Sequence, residues 1–135
     1  MIKHVFSKGL EQLDEVLQTV EDALLSVNFP SKTIFLVKLA TEEIYCNIVK
    51  YAYVDGKSDV QLSYTISENP LSIKIRFLDC GAPFNPLCVE EPDLSTDAQD
   101  RPLGGLGIFL VKKSMDEVNY RYHNGNNILT LKKNA

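Results

Sequence analysis

The chain has 135 residues, of which 44% are hydrophobic and 24% charged, and its formal net charge is −4. That length suits one domain with its own core, and the acidic balance speaks against a nucleic-acid ligand, which calls for a basic face. Three cysteines (Cys46, Cys80, Cys88) form neither a CxxC pair nor an even framework, so reduced thiols in a cytoplasmic protein are expected, and His4 and His123 lie too far apart in sequence to suggest a His/Cys metal site.

Residues 2 to 7 suit a short strand, in an N-terminus without the apolar run of a signal peptide. From Leu10 the apolar positions Leu13, Val16, Leu17, Val20, Leu24 and Val27 keep helical spacing, predicting an amphipathic helix over about 10 to 27. Pro30 suits the next helix start, and that helix is expected to run through "KTIFLVKLATEEIYCNIVKYAY" to Tyr53 before the turn "VDGKS". Val60, Leu62, Tyr64 and Ile66 share one face of a strand, and Leu71, Ile73, Ile75 and Phe77 share one face of another, with "SENP" as the hairpin turn. Residues 85 to 103 hold three prolines and five acidic residues and are expected to form a mobile loop. A helix over about 105 to 115 and two strands joined at "NGN" complete the chain. No segment approaches membrane-spanning length, so no membrane association is expected. Helices on one face of a mixed, mostly antiparallel sheet make a two-layer α/β sandwich, expected as a single domain over residues 1–135.

Three polar features interrupt these apolar elements. Glu43 and Asn47 are one turn apart on the second helix, with Tyr51 continuing the line; they are either a solvated stripe or a paired site. Asp79 has the parity of Ile73, Ile75 and Phe77, so it should point inward, where a carboxylate needs a donor unless it is satisfied as a turn residue; Gly81 follows closely. "RPLGGLGIFLVKK" is neither a G-x-x-x-x-G-K-[ST] loop nor a G-x-G-x-x-G fingerprint. Its glycines nevertheless lead into a helix start, whose unpaired N–H groups suit phosphate oxygens if they do more than close a loop.

In that order the motifs resemble the GHKL ATPase superfamily with the Bergerat nucleotide-binding fold, and within it the anti-sigma factor serine-protein kinases. "EEIYCNIVKYAY" is similar to the N box, "DCGAPFNP" to the first glycine box, and "GGLGIFLVKKSMDEVNYRYHNGNNILTLKK" to the second with its closing hairpin. The resemblance implies ATP and Mg²⁺ as ligands. It makes Glu43 the general base and Asn47 the Mg²⁺ ligand. Asp79, beside Gly81, becomes the acceptor for the adenine amino group, and Thr130 a strand hydroxyl that helps read adenine. Gly104, Gly105, Leu106 and Gly107 become the phosphate-binding segment. Arg101 is the candidate lid arginine for the γ-phosphate, although it lies further upstream than in relatives, and Tyr51 stands where many relatives carry histidine. The resemblance implies a protein-serine kinase that sequesters a sigma factor and phosphorylates an antagonist protein, and that forms a homodimer. The alternative is a nucleotide-gated protein-binding module of the same fold without phosphotransfer. In either case the loop 85 to 103 is expected to close over the triphosphate, its acidic residues suiting a protein partner.

Overall fold

A computed structural model describes residues 2–7, 10–52, 59–88 and 105–135. In chain order these form β1 (Ile2–Ser7), α1 (Leu13–Leu25), α2 (Ser31–Asn47), β2 (Asp59–Ser67), β3 (Ser72–Asp79), α3 (Gly105–Ser114), β4 (Glu117–His123) and β5 (Asn126–Asn134). The strands make one sheet in the order β1-β2-β3-β5-β4, and every pairing is antiparallel. The two-layer α/β class expected from the sequence is the one observed.

Alternation decides which sheet face is buried. Leu62, Ile73, Ile75, Phe77, Leu129 and Leu131 lie on one side and pack with Val16, Val20 and Leu24 of α1, Ile34, Val37, Ala40 and Ile44 of α2, and Ile108 and Val111 of α3. The pairs Leu62↔Phe77, Phe77↔Leu129 and Ile75↔Leu131 carry that face across the sheet. Lys74 and Arg76 alternate with these residues and point to the other side.

The helix boundaries follow local chemistry. A 3₁₀ turn, Leu10–Gln12, precedes α1, whose first turn carries Asp14 and Glu15, favourably placed for the helix dipole. The helix ends at Leu25, short of the expected 27: a turn follows in which Asn28 takes φ 61° and Pro30 stands extended as the N-cap of α2. α2 keeps regular hydrogen bonding to Asn47 and then widens into a π-helical turn, Ile48–Ala52. Such turns often occur at functional sites. At the β4–β5 hairpin, Asn124 and Gly125 both take positive φ (51° and 78°), as a two-residue turn of matching twist requires. Of the expected mobile loop, residues 85–88 are described and end in a short 3₁₀ turn, Pro86–Cys88; the rest, Arg101 included, lies outside the described residues.

Candidate nucleotide site

The carboxyl-terminal half of α2 carries the first pair. Asn47 is buried, and its Nδ2 donates to the backbone oxygen of Glu43 at 2.7 Å. That bond orients the amide and leaves Oδ1 without a hydrogen bond from any described residue. A neutral, oriented oxygen of this kind suits a Mg²⁺ ion that keeps several waters.

The Glu43 carboxylate lies against Gly107, in the first turn of α3. A Cβ built on Gly107 would overlap Oε2 of Glu43 and stand 3.1 Å from Oε1, so the missing side chain is what lets the acid sit there. Burial, and then the neighbouring Glu42 charge, push the Glu43 carboxyl above the usual carboxylate range, while Lys50 pulls it down. A carboxyl raised in this way accepts a proton more readily near neutral pH, as a general base must. The same contact joins α2 to the glycine-led start of α3, where Gly105, Leu106 and Gly107 form the first helical turn. Backbone N–H groups of a first turn have no helical partner and carry partial positive charge, which fits phosphate. Gly104, like Arg101, lies outside the described residues.

Asp79 ends β3 facing inward, as its parity predicts, and is 2% exposed. Its Oδ1 accepts from the Gly81 amide at 2.9 Å and from Nδ2 of Asn127 at 3.0 Å. Oδ2 takes no hydrogen bond from a described residue and remains the acceptor for a donor such as an amino group. Burial raises the Asp79 carboxyl, and the bonds from Asn127 and Gly81 oppose the rise. Gly81 thus acts through its amide, which holds the carboxylate still.

Asn127 did not stand out in the sequence, yet it organises this end of the sheet. It is buried and opposite Asp79 in the β3–β5 register. Besides Asp79, its Nδ2 donates to the Ala82 oxygen at 2.9 Å; its Oδ1 accepts from the Phe84 amide at 3.0 Å and from the Tyr120 hydroxyl. One side chain therefore fastens residues 79–84 to β4 and β5. A cavity of about 10 Å³ remains between Asp79, Phe84, Pro86, Tyr120 and Ile48, room for one water. Ile48 directly follows Asn47, so the Asp79 end of the site adjoins the α2 end.

Thr130 is not brought to this cluster. It pairs with Arg76 and Asn119 and lines a cavity of about 300 Å³ with Lys74, Arg76 and Arg121 on the opposite face of the sheet. The expectation that its hydroxyl reads adenine with Asp79 is corrected by strand alternation: Asn127, Leu129 and Leu131 face the site, and Thr130 faces away.

A two-layer sandwich that joins a Glu–Asn helix, an inward Asp and a glycine-led helix at one end of its sheet has the architecture of a GHKL-type ATPase domain. A family model described as the histidine kinase-like ATPase domain matches residues 6–133, and the chain belongs to that family. Among curated relatives, the chain is 29% identical over 98 residues to the serine-protein kinase RsbW of Bacillus thuringiensis (strain Al Hakam), covering 71% of this chain and 61% of that one. It therefore spans less than two thirds of that relative's length. It is 26% identical over 117 residues to the serine/threonine-protein kinase BtrW of Bordetella bronchiseptica, covering 87% and 82%. These likenesses agree with the anti-sigma kinase branch that the sequence resembles. Among solved structures, the fold matches the RsbU and RsbW domains of a Mycobacterium tuberculosis protein, with TM-score 0.69, 12% identity, and coverage of 98% of this chain and 32% of that one. It also matches the SiaB–SiaC complex of Pseudomonas aeruginosa, with TM-score 0.56, 12% identity, and coverage of 100% and 90%.

Proposed function

We propose that the chain is an ATP-dependent serine-protein kinase that also acts as an anti-sigma factor, sequestering a sigma factor and phosphorylating a serine on an antagonist protein. The observation that carries this is the contact between the Glu43 carboxylate and Gly107, which sets a raised carboxyl at the glycine-led start of a helix. In this account Oδ1 of Asn47 would hold Mg²⁺, the first-turn amides at Gly105 and Gly107 would face the phosphates, and Oδ2 of Asp79 would accept from the adenine amino group. Bound Mg-ATP supplies the γ-phosphoryl group and the cation that offsets its charge. Glu43 takes the proton from the serine hydroxyl at its carboxylate. Arg101 is proposed as a further phosphate contact, and a cytoplasmic homodimer as the working form.

The test is transfer of phosphate from Mg-ATP to a serine of an antagonist protein. Glu43→Gln should retain ATP binding and lose transfer. Undiminished transfer in that variant would sink the assignment of the base. Wild-type chain that binds ATP and transfers to no antagonist would instead favour a nucleotide-gated binding module.

A further inference from the structure

A groove of about 480 Å³ runs between α1 and α2 on the outer side of the helical layer. Two stripes at helical spacing form its walls: Leu17, Glu21 and Leu25 on α1, and Phe35, Leu39 and Glu42 on α2. Phe35 is 64% exposed and Leu25 is 55% exposed. Single exposed apolar residues are ordinary, but here two large ones rim one continuous apolar depression. Apart from Glu42, whose charge acts on Glu43, these residues play no part in the nucleotide site.

The two helices that wall the groove carry more acid than base. α1 carries Asp14, Glu15, Glu21 and Asp22 and no Lys or Arg. α2 adds Glu42 and Glu43 against Lys32 and Lys38. Lys38 is already engaged within the groove, its Nζ 3.0 Å from Oε2 of Glu21, and Glu43 is turned toward α3. An apolar floor is thus left between helices whose remaining charge is net acidic, Asp14, Glu15, Asp22 and Glu42 against Lys32.

We propose that this groove docks a helix of another protein, one whose apolar stripe is flanked by Lys and Arg. Apolar walls at helical spacing take anchors at i, i+3, i+4 and i+7 of an incoming helix, and the net acidic charge of the two helices selects basic flanks and repels acidic ones. A second copy of this chain fits poorly, because a two-fold contact would set the carboxylates of one α1 against those of the other. An anionic membrane surface is repelled for the same reason. The surface does not depend on phosphotransfer and stands apart from that proposal.

The experiment uses the full chain and two synthetic amphipathic helices with the same Leu stripe, one flanked by Lys and Arg, the other by Glu. Fluorescence anisotropy should show the basic peptide binding at least about tenfold more tightly, with affinity falling as salt rises. Amide shift changes should fall on α1 and the outer stripe of α2. Phe35→Ser and Leu25→Ser alter exposed side chains, so each should keep the wild-type melting temperature while weakening the basic peptide about tenfold or more. Asp22→Lys should weaken it too, and should narrow the gap between the two peptides. The proposal is overturned if the basic peptide fails to bind, if both peptides bind equally, or if Phe35→Ser leaves affinity unchanged. It is equally overturned if Phe35→Ser dissolves a dimer in sedimentation, or if vesicles rich in phosphatidylserine take up the chain through Phe35.

Discussion

Replacing Gly107 by Ala separates a structural glycine from a functional one. The added methyl group would overlap Oε2 of Glu43, and no other group of the described residues approaches it as closely. Forcing extra volume into a packed contact costs about 1–3 kcal/mol, at the low end when the obstacle is the tip of a flexible side chain. Alanine in a helix gains about 0.5–1 kcal/mol over glycine. The two effects nearly cancel, so the unfolding free energy should move by no more than about 1 kcal/mol, which is about 4 °C in a domain of this size. Catalysis should not escape. The carboxylate must swing away from the start of α3, and misplacing a catalytic group by about 1 Å can cost about 100-fold. Calorimetry paired with a radiolabelled phosphotransfer assay reads both quantities on one preparation. A melting temperature lowered by about 10 °C would show that Gly107 closes the α2–α3 packing for structural reasons alone. Unchanged transfer would show that the position of Glu43 against α3 has no part in the chemistry.

Two further outcomes follow from the Asp79–Asn127 cluster. Asn127→Ala removes its hydrogen bonds with the Phe84 amide, the Ala82 oxygen and the Tyr120 hydroxyl and a donor to Asp79, which should cost about 3 kcal/mol, seen as a reduced midpoint in urea with an unchanged slope. A loss under about 0.5 kcal/mol would mean that water replaces the side chain without penalty. Asp79 and Glu43 both have folded carboxyls raised by burial. Their contribution to stability is therefore full below the ordinary carboxylate range and is lost as pH rises through the raised folded values. Stability of the wild type should fall more steeply than that of Asp79→Asn as pH rises above the ordinary carboxylate range, and equal slopes would contradict the buried, raised state of Asp79.

Much of this was legible from periodicity. The alternation in β2 and β3 located the core face, and the same parity put Asp79 on it, where the structure finds it buried. The four-residue spacing of Glu43 and Asn47 correctly predicted one shared helical face. What escaped lay at element ends. Asn127 follows the hairpin "NGN" and reads as turn chemistry, so its role emerges only from the β3–β5 register that sets it opposite Asp79. The signal was available: Asn127 shares parity with Leu129 and Leu131, and the same count places Thr130 on the other face. The contact of Glu43 with Gly107 spans two helices distant in sequence, and no local pattern encodes it. The groove between α1 and α2 was hidden for a different reason. Leu17, Leu25 and Phe35 look like core positions in a helical pattern, and only packing shows that the core is already filled by Val16, Val20, Leu24, Ile34 and Val37.

The central claim is that this chain holds an adenine nucleotide on Asp79. Thermal titration with Mg-ATP and Mg-GTP, on wild type and on Asp79→Asn, tests it most directly. A ligand that binds only the folded state raises the melting temperature, and guanine offers Asp79 an oxygen where adenine offers an amino group. The account predicts that ATP stabilises the wild type and GTP does not. It also predicts that Asp79→Asn, which keeps an oxygen for Gly81 and Asn127, still unfolds cooperatively without nucleotide and loses the preference for ATP. No stabilisation of the wild type by Mg-ATP, or an ATP preference intact in Asp79→Asn, would contradict it.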